Sequence, residues 1–201
     1  MISHCSGMGL RACVGWFVYV TALSTTGVLD DFSLPPRAGL LIVLPAIVSI
    51  VVVTGRPSFQ PLLRNIPCYL PIFLQSFRII VELLIYGAYQ NGVFPQRATF
   101  EGINFDILVG ISALPMGWLV FKKMIAPRGI LIWNVVSLMV LTVTAFSFIY
   151  TYYLTDYLTT GGTLDFVHFP YILLASVLLP TAIFLHVFSI RQVGLLSKRD
   201  Q

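Results

Sequence analysis

CYLPIFLQSFRIIVELLIYGAYQ, residues 68–90, decides the fold class. Its only charges are Arg78 and Glu82, and its length is near the roughly 20 residues a helix needs to cross the hydrocarbon of a bilayer. Backbone groups in lipid must bond internally, so such a run reads as a helix and not as an isolated strand. Five more apolar runs lie near 12–29, 38–54, 104–121, 130–152 and 169–190. Together with 69–90 they predict an all-α, polytopic transmembrane helical bundle of about six spans, one domain covering residues 1–201.

Composition agrees. Of the 201 residues, 57% are hydrophobic and 10% charged, against roughly a quarter charged in ordinary globular proteins. A soluble domain of this size could not cover so much apolar surface, so lipid is the solvent that fits. The net charge of +4 does not point to nucleic acid, because Lys and Arg form no dense patch. Cys5, Cys13 and Cys68 show no CxxC or other ligand spacing and read as buried or interfacial free thiols.

The connections set the orientation. Arg11 precedes the first run, Arg56 and Arg64 follow the second, Lys122, Lys123 and Arg128 follow the fourth, and Arg191, Lys198 and Arg199 follow the sixth. The alternate connections carry Asp30, Asp31 and Arg37, then Arg97 and Glu101, then Asp156 and Asp165. One side is net positive throughout and the other neutral or negative, which predicts both termini in the cytoplasm. Ala22-Leu23-Ser24 resembles a signal-peptide cleavage site, but a lone Arg11 and an apolar run reaching Val28 favour a retained span. Cleavage would leave five spans with the same orientation.

Tryptophans 16, 118 and 133, with Tyr150, Tyr152 and Tyr153, fall near expected span ends, where amphipathic rings suit the headgroup level. Residues 55–67, with Pro57, Pro61 and Pro67, read as an interfacial loop entering the third span. Pro45, Pro115 and Pro180 sit in similar strings, VLPAIV, ALPMGW and LLPTAI. Separate kinks are favoured over a threefold repeat, because proline is common in membrane helices.

Within the third run, Gln75, Arg78, Glu82 and Tyr86 recur at helical spacing and form a polar stripe on one face. A charge at mid-bilayer costs roughly 2.5–3.5 kcal/mol on insertion scales, so Arg78 and Glu82, at i and i+4, are expected to pair with each other. Asn134 and His186 are candidate partners at similar depth, with Gln75, around a cavity open to the cytoplasm. Taken alone, each of them reads more readily as an ordinary interhelical hydrogen bonder. On the outer side, Arg97, Glu101, Asn104 and Asp106 are a candidate external entrance, although the helix dipole alone would account for Asp106.

Several chemistries are argued down. No Lys lies within a span to form a retinal Schiff base, and His168 and His186 are too far apart along one helix to share a haem. HExxH, GxSxG and a TVGYG-type filter are absent. No cofactor or metal is expected.

DFSLPPR at 31–37, QSFRIIVELL at 75–84 and TFEGINFDILVG at 99–110 together resemble an uncharacterised family of bacterial multi-pass integral membrane proteins. The resemblance implies a bacterial inner (cytoplasmic) membrane and brings no activity or ligand with it. Three functional readings remain open. The first is binding or transport of a small solute or ion around Arg78 and Glu82. The second is a structural or accessory subunit, paired with a membrane protein partner or with further copies of itself. The third is a membrane enzyme using Glu82 as acid or base.

Overall fold

The computed structural model describes the backbone of residues 2–197 and the side chains of 11–195. Lys198 and Arg199 lie outside the described residues. Among the described residues every regular element is helical. The chain runs through α1 (Ile2–Thr25), α2 (Leu44–Gly55), α3 (Gln60–Asn65), α4 (Tyr69–Leu74), α5 (Phe77–Gln90), α6 (Asp106–Phe121), α7 (Pro127–Leu154) and α8 (Leu179–Ser197). Segments of π-helix, Gly39–Val43 and Leu174–Leu178, lead directly into α2 and α8.

Among the described residues three helical stretches are long and apolar enough to cross a membrane: Tyr69–Gln90, which joins α4 to α5, Pro127–Leu154, and Leu174–Leu195. A fourth arises if the bent pair Gly39–Gly55 and Pro57–Asn65, which meet at 79°, is one span. Helix α6, expected to start near residue 104, begins at Asp106 and has 16 residues, about 24 Å of rise and less than the roughly 30 Å hydrocarbon core. The expected loop at 55–67 is instead mostly helical. Pro57 and Pro61 occupy first-turn positions, where a missing N–H costs nothing and the fixed φ suits a helix start.

The third stretch is not uniform. At its midpoint the N–H groups of Gln75, Ser76, Arg78 and Ile79 bond to carbonyls three residues back, at 3.0–3.1 Å. This tight turn separates α4 from α5 and sets the directions of Gln75 and Arg78.

Helix α6 packs against α4 and α5 through a face of small residues. A Cβ on Gly110 would sit 2.8 Å from Ile79 Cγ1 and 2.9 Å from the Ile79 backbone N, and one on Gly117 would meet the Phe73 ring at 2.7 Å. Rising along α6 therefore means descending along the third stretch, so the two are antiparallel. Asp106, one turn before Gly110, is carried toward Arg78 by this contact.

Pro45 and Pro180 have matched surroundings that Pro115 lacks. Each follows a π-segment, and each π-segment is preceded by a cis X–Pro bond, Leu34–Pro35 or Phe169–Pro170. Because proline has no N–H, the carbonyl four residues earlier loses its helical donor. Leu41 O, four before Pro45, accepts from Tyr19 Oη at 2.9 Å, and Ser176 O, four before Pro180, accepts from Trp16 Nε1 at 2.9 Å. Helix α1 thus satisfies both vacated carbonyls. Pro115 lies inside α6 with no π-segment before it.

The two ends of the bundle are tied differently. At one end Arg191 donates to Thr54 O at the close of α2, and Gln192 Nε2 donates to Leu63 O and Ile66 O at 3.0 and 2.7 Å. These contacts hold the bend between α2 and α3. At the other end Ser24 Oγ donates to Val167 O at 3.1 Å and Thr163 Oγ1 to Val93 O at 2.9 Å.

Polarity is inverted relative to a water-soluble protein. Arg78 and Glu82 are each 1% exposed, whereas Ile80 and Leu84 on the opposite face of the same helix are each 64% exposed. Ile132, Val136 and Met139 on α7 repeat the pattern. An apolar exterior over a polar interior fits a hydrocarbon solvent.

Candidate functional site

The tight turn before α5 and the close approach of α6 bring Arg78 against Asp106. The guanidinium binds the carboxylate through two groups, Nε to Oδ2 and Nη2 to Oδ1. This corrects the expectation that Arg78 pairs with Glu82 one turn away. The planar fork of a guanidinium matches a carboxylate through two parallel bonds, and Asp106 is the carboxylate that α6 presents to it.

The third nitrogen, Nη1, lies 3.2 Å from His186 Nε2 on α8. Arginine can only donate, so Nε2 is the acceptor and the ring proton sits on Nδ1. Nδ1 in turn lies 2.8 Å from Asn134 Oδ1 on α7. Asn134 Nδ2 donates to Ser189 Oγ at 2.9 Å and to Ile130 O at 2.9 Å. Each donor and acceptor along this chain is consistent with a neutral His186.

On the other side of Asp106 stands Asn104. Its Oδ1 accepts from Asp106 N at 3.0 Å and from Thr144 Oγ1 at 2.7 Å. Its Nδ2 donates to Glu82 Oε2 at 2.7 Å and to Ala98 O at 2.9 Å. Glu82 is therefore joined to Arg78 only through Asn104 and Asp106, and its Oε1 has no hydrogen-bond partner among the described residues. Gln75 Nε2 donates to Ala182 O at 3.0 Å, fastening the tight turn to α8.

The two expected residue groups thus divide differently. Gln75, Arg78, Glu82, Asn104, Asp106, Asn134 and His186 are buried and lie on one chain of polar contacts or beside it. Tyr86, Arg97 and Glu101 do not join it. Tyr86 Oη donates to Glu101 Oε1 at 3.0 Å on the surface, and Arg97 stacks its guanidinium 5.1 Å above the Tyr150 ring. Asn104 and Asp106, expected at an external entrance, belong to the interior. Thr144 and Ser189 were missed, since a lone hydroxyl in an apolar helix carries no signal of its own. The role of Asp106 was legible in principle. It is the third charge inside the apolar runs, and two charges of one sign cannot both be matched by Arg78.

A cavity of about 170 Å³ opens beside this network. Arg78, Glu82 and Asp106 line it at one side, and its other walls include Phe77, Val81, Ile85, Leu141, Phe148 and Leu178. Both π-segments border it, through Gly39 and Val43 and through Leu174, Ala175 and Leu178. Gln75, Asn134 and His186, expected to line a cavity open to the cytoplasm, do not border this one. Among the described residues no three His, Cys, Asp or Glu side chains are grouped as metal ligands.

No protein-family model, curated protein or solved structure matches the chain.

Proposed function

We propose that the protein is a bacterial inner-membrane protein of six spans, with both termini cytoplasmic, that binds or transports a small solute or ion at the cavity beside Arg78, Glu82 and Asp106. One observation carries this reading: a buried charged network borders a cavity whose other walls are largely apolar. Charges inside a bundle are costly, and they recur where helices line a pathway or a ligand site. A purely structural network could have been built without leaving a cavity against it.

Other features support the reading. The end tied by Arg191 and Gln192 also carries Arg56, Arg64, Lys122, Lys123 and Arg128 in its connections, the pattern of a cytoplasmic side. Helices broken near mid-span, such as the α4–α5 stretch, are common where carriers hold their cargo. The strings behind the family resemblance meet here. QSFRIIVELL supplies Gln75, Arg78 and Glu82, TFEGINFDILVG supplies Asn104 and Asp106, and DFSLPPR supplies Pro36 of the cavity wall.

The test uses full-length protein purified in mild detergent, compared with Ala145→Phe, which places a ring into the cavity from α7. Native mass spectrometry should find a small molecule bound to the wild type and missing from the variant. A wild type free of any such molecule, together with a variant that keeps the cellular phenotype, would remove the binding reading.

A further inference from the structure

The charges around the cavity do not balance. Asp106 is matched by Arg78 through both oxygens. His186 is neutral, because it accepts from Arg78 and donates to Asn134. The remaining lining residues are uncharged. Among the described residues Glu82 is therefore the one carboxylate at the cavity without a cation, 1% exposed and hydrogen-bonded only through Oε2, to Asn104. A buried carboxylate in that state is costly unless something supplies a positive charge or a hydrogen-bond donor.

We propose that the cavity takes an apolar amine, whose protonated nitrogen donates to Glu82 Oε1 while its hydrocarbon part lies against Phe77, Val81, Ile85, Leu141 and Phe148. This deepens the binding reading above and rests on it. Three occupants satisfy the charge, and the walls choose between them. A metal ion needs several oxygen ligands, charged ones above all, but Asp106 is committed to Arg78, which leaves Glu82 as the one free carboxylate with only the neutral hydroxyls of Thr144 and Tyr153 beside it among the described residues. A proton alone would neutralise Glu82 and leave the apolar volume without a function. An organic ammonium accounts for both the free carboxylate oxygen and the apolar walls, which remove hydrocarbon from water at about 25 cal/mol per Å². Anions are disfavoured, because they would face Glu82.

Thermal unfolding of the full chain in non-ionic detergent tests this with n-hexylamine, 1-hexanol and sodium hexanoate as probes. At ten times its dissociation constant hexylamine should raise Tm by about 3 °C, hexanol by less, and hexanoate not at all. Glu82→Gln keeps an acceptor for Asn104 and should erase the advantage of the amine over the alcohol. Glu101→Gln, outside the network, should preserve that advantage. Equal shifts with amine and alcohol in the wild type, or an amine advantage that survives Glu82→Gln, would overturn the proposal. Should Glu82→Gln not fold, the wild-type comparison decides alone. If no probe moves Tm the amine proposal falls, and the co-purification result for Ala145→Phe then says independently whether the binding reading falls too.

Discussion

Arg78 is the residue on which the interior turns, because its nitrogens reach α6 and α8 from α5. Removing one partner of a buried bidentate pair typically costs about 3–5 kcal/mol, and removing both is close to neutral. Arg78→Leu and Asp106→Leu should each lower thermal stability by that order, and the double variant should regain most of the loss. Glu82→Leu combined with Arg78→Leu should show little such recovery, since the two make no direct pair. Thermal unfolding of these variants as double-mutant cycles measures the difference; recovery only with Glu82→Leu would overturn the assignment. A second prediction concerns His186. Nitrogen-15 spectra should show the neutral ring with its proton on Nδ1, and Asn134→Leu should disturb that signal. Outside the helices, the carboxyl of Asp31 is held below its usual range, first by hydrogen bonds from Ser33 and then by Arg37. A lowered carboxylate supports the folded loop above its unfolded pKa and loses that support as pH falls through the folded one. Carbon-13 titration should place Asp31 below an unstructured peptide of the same sequence.

At the scale of the helix, the stripe on the third stretch was legible from spacing alone, because one helix fixes its own faces. Its partner was not, because it depends on how a second helix approaches. Asp106 reaches Arg78 only because Gly110 lets α6 press against Ile79, and a single glycine in an apolar run does not announce which helix it will meet. Gly110→Val should push α6 away and cost about 1–3 kcal/mol through overpacking, weakening the Arg78–Asp106 pair with it. A disulfide between cysteines placed at 79 and 110 would lose efficiency if that contact is not the one formed. The prolines teach a related lesson. Three similar strings gave no reason to separate Pro115 from the others, since the distinction lies in Trp16 and Tyr19 on a distant helix. The helical character of 57–65 was present in the sequence as prolines at helix-start positions, outweighed there by their density.

For the molecule as a whole, the distribution of charge between its two ends makes a prediction about sidedness. A cysteine at Gln96 or Thr160 should react with an impermeant thiol reagent from outside the cell, in a background lacking the native thiols. One at Ser58 or Ala126 should be protected until the membrane is opened. Labelling of Ser58 or Ala126 from outside would invert the proposed topology. The all-helical architecture was legible from apolar run length, because that signal is local. The number of spans was less so: α6 is short, since its first turn is replaced by the loop that delivers Asn104 into the interior.

The pairing of Arg78 with Asp106 also has a temporal side. The two residues are 28 positions apart, so a ribosome adding roughly 5–20 residues per second makes the arginine about 1 to 6 seconds before its carboxylate. His186 follows much later, after α7. In the proposed topology the guanidinium enters the bilayer as part of a nascent hairpin, and α6 is the first facing segment able to bind it through two oxygens. A stop codon placed before residue 106 would therefore leave a nascent chain whose third span holds Arg78 without the bidentate partner of the folded chain, with only Glu82 on its own helix as counter-charge. That truncated chain should be cleared by membrane proteases far faster than one ending after residue 121.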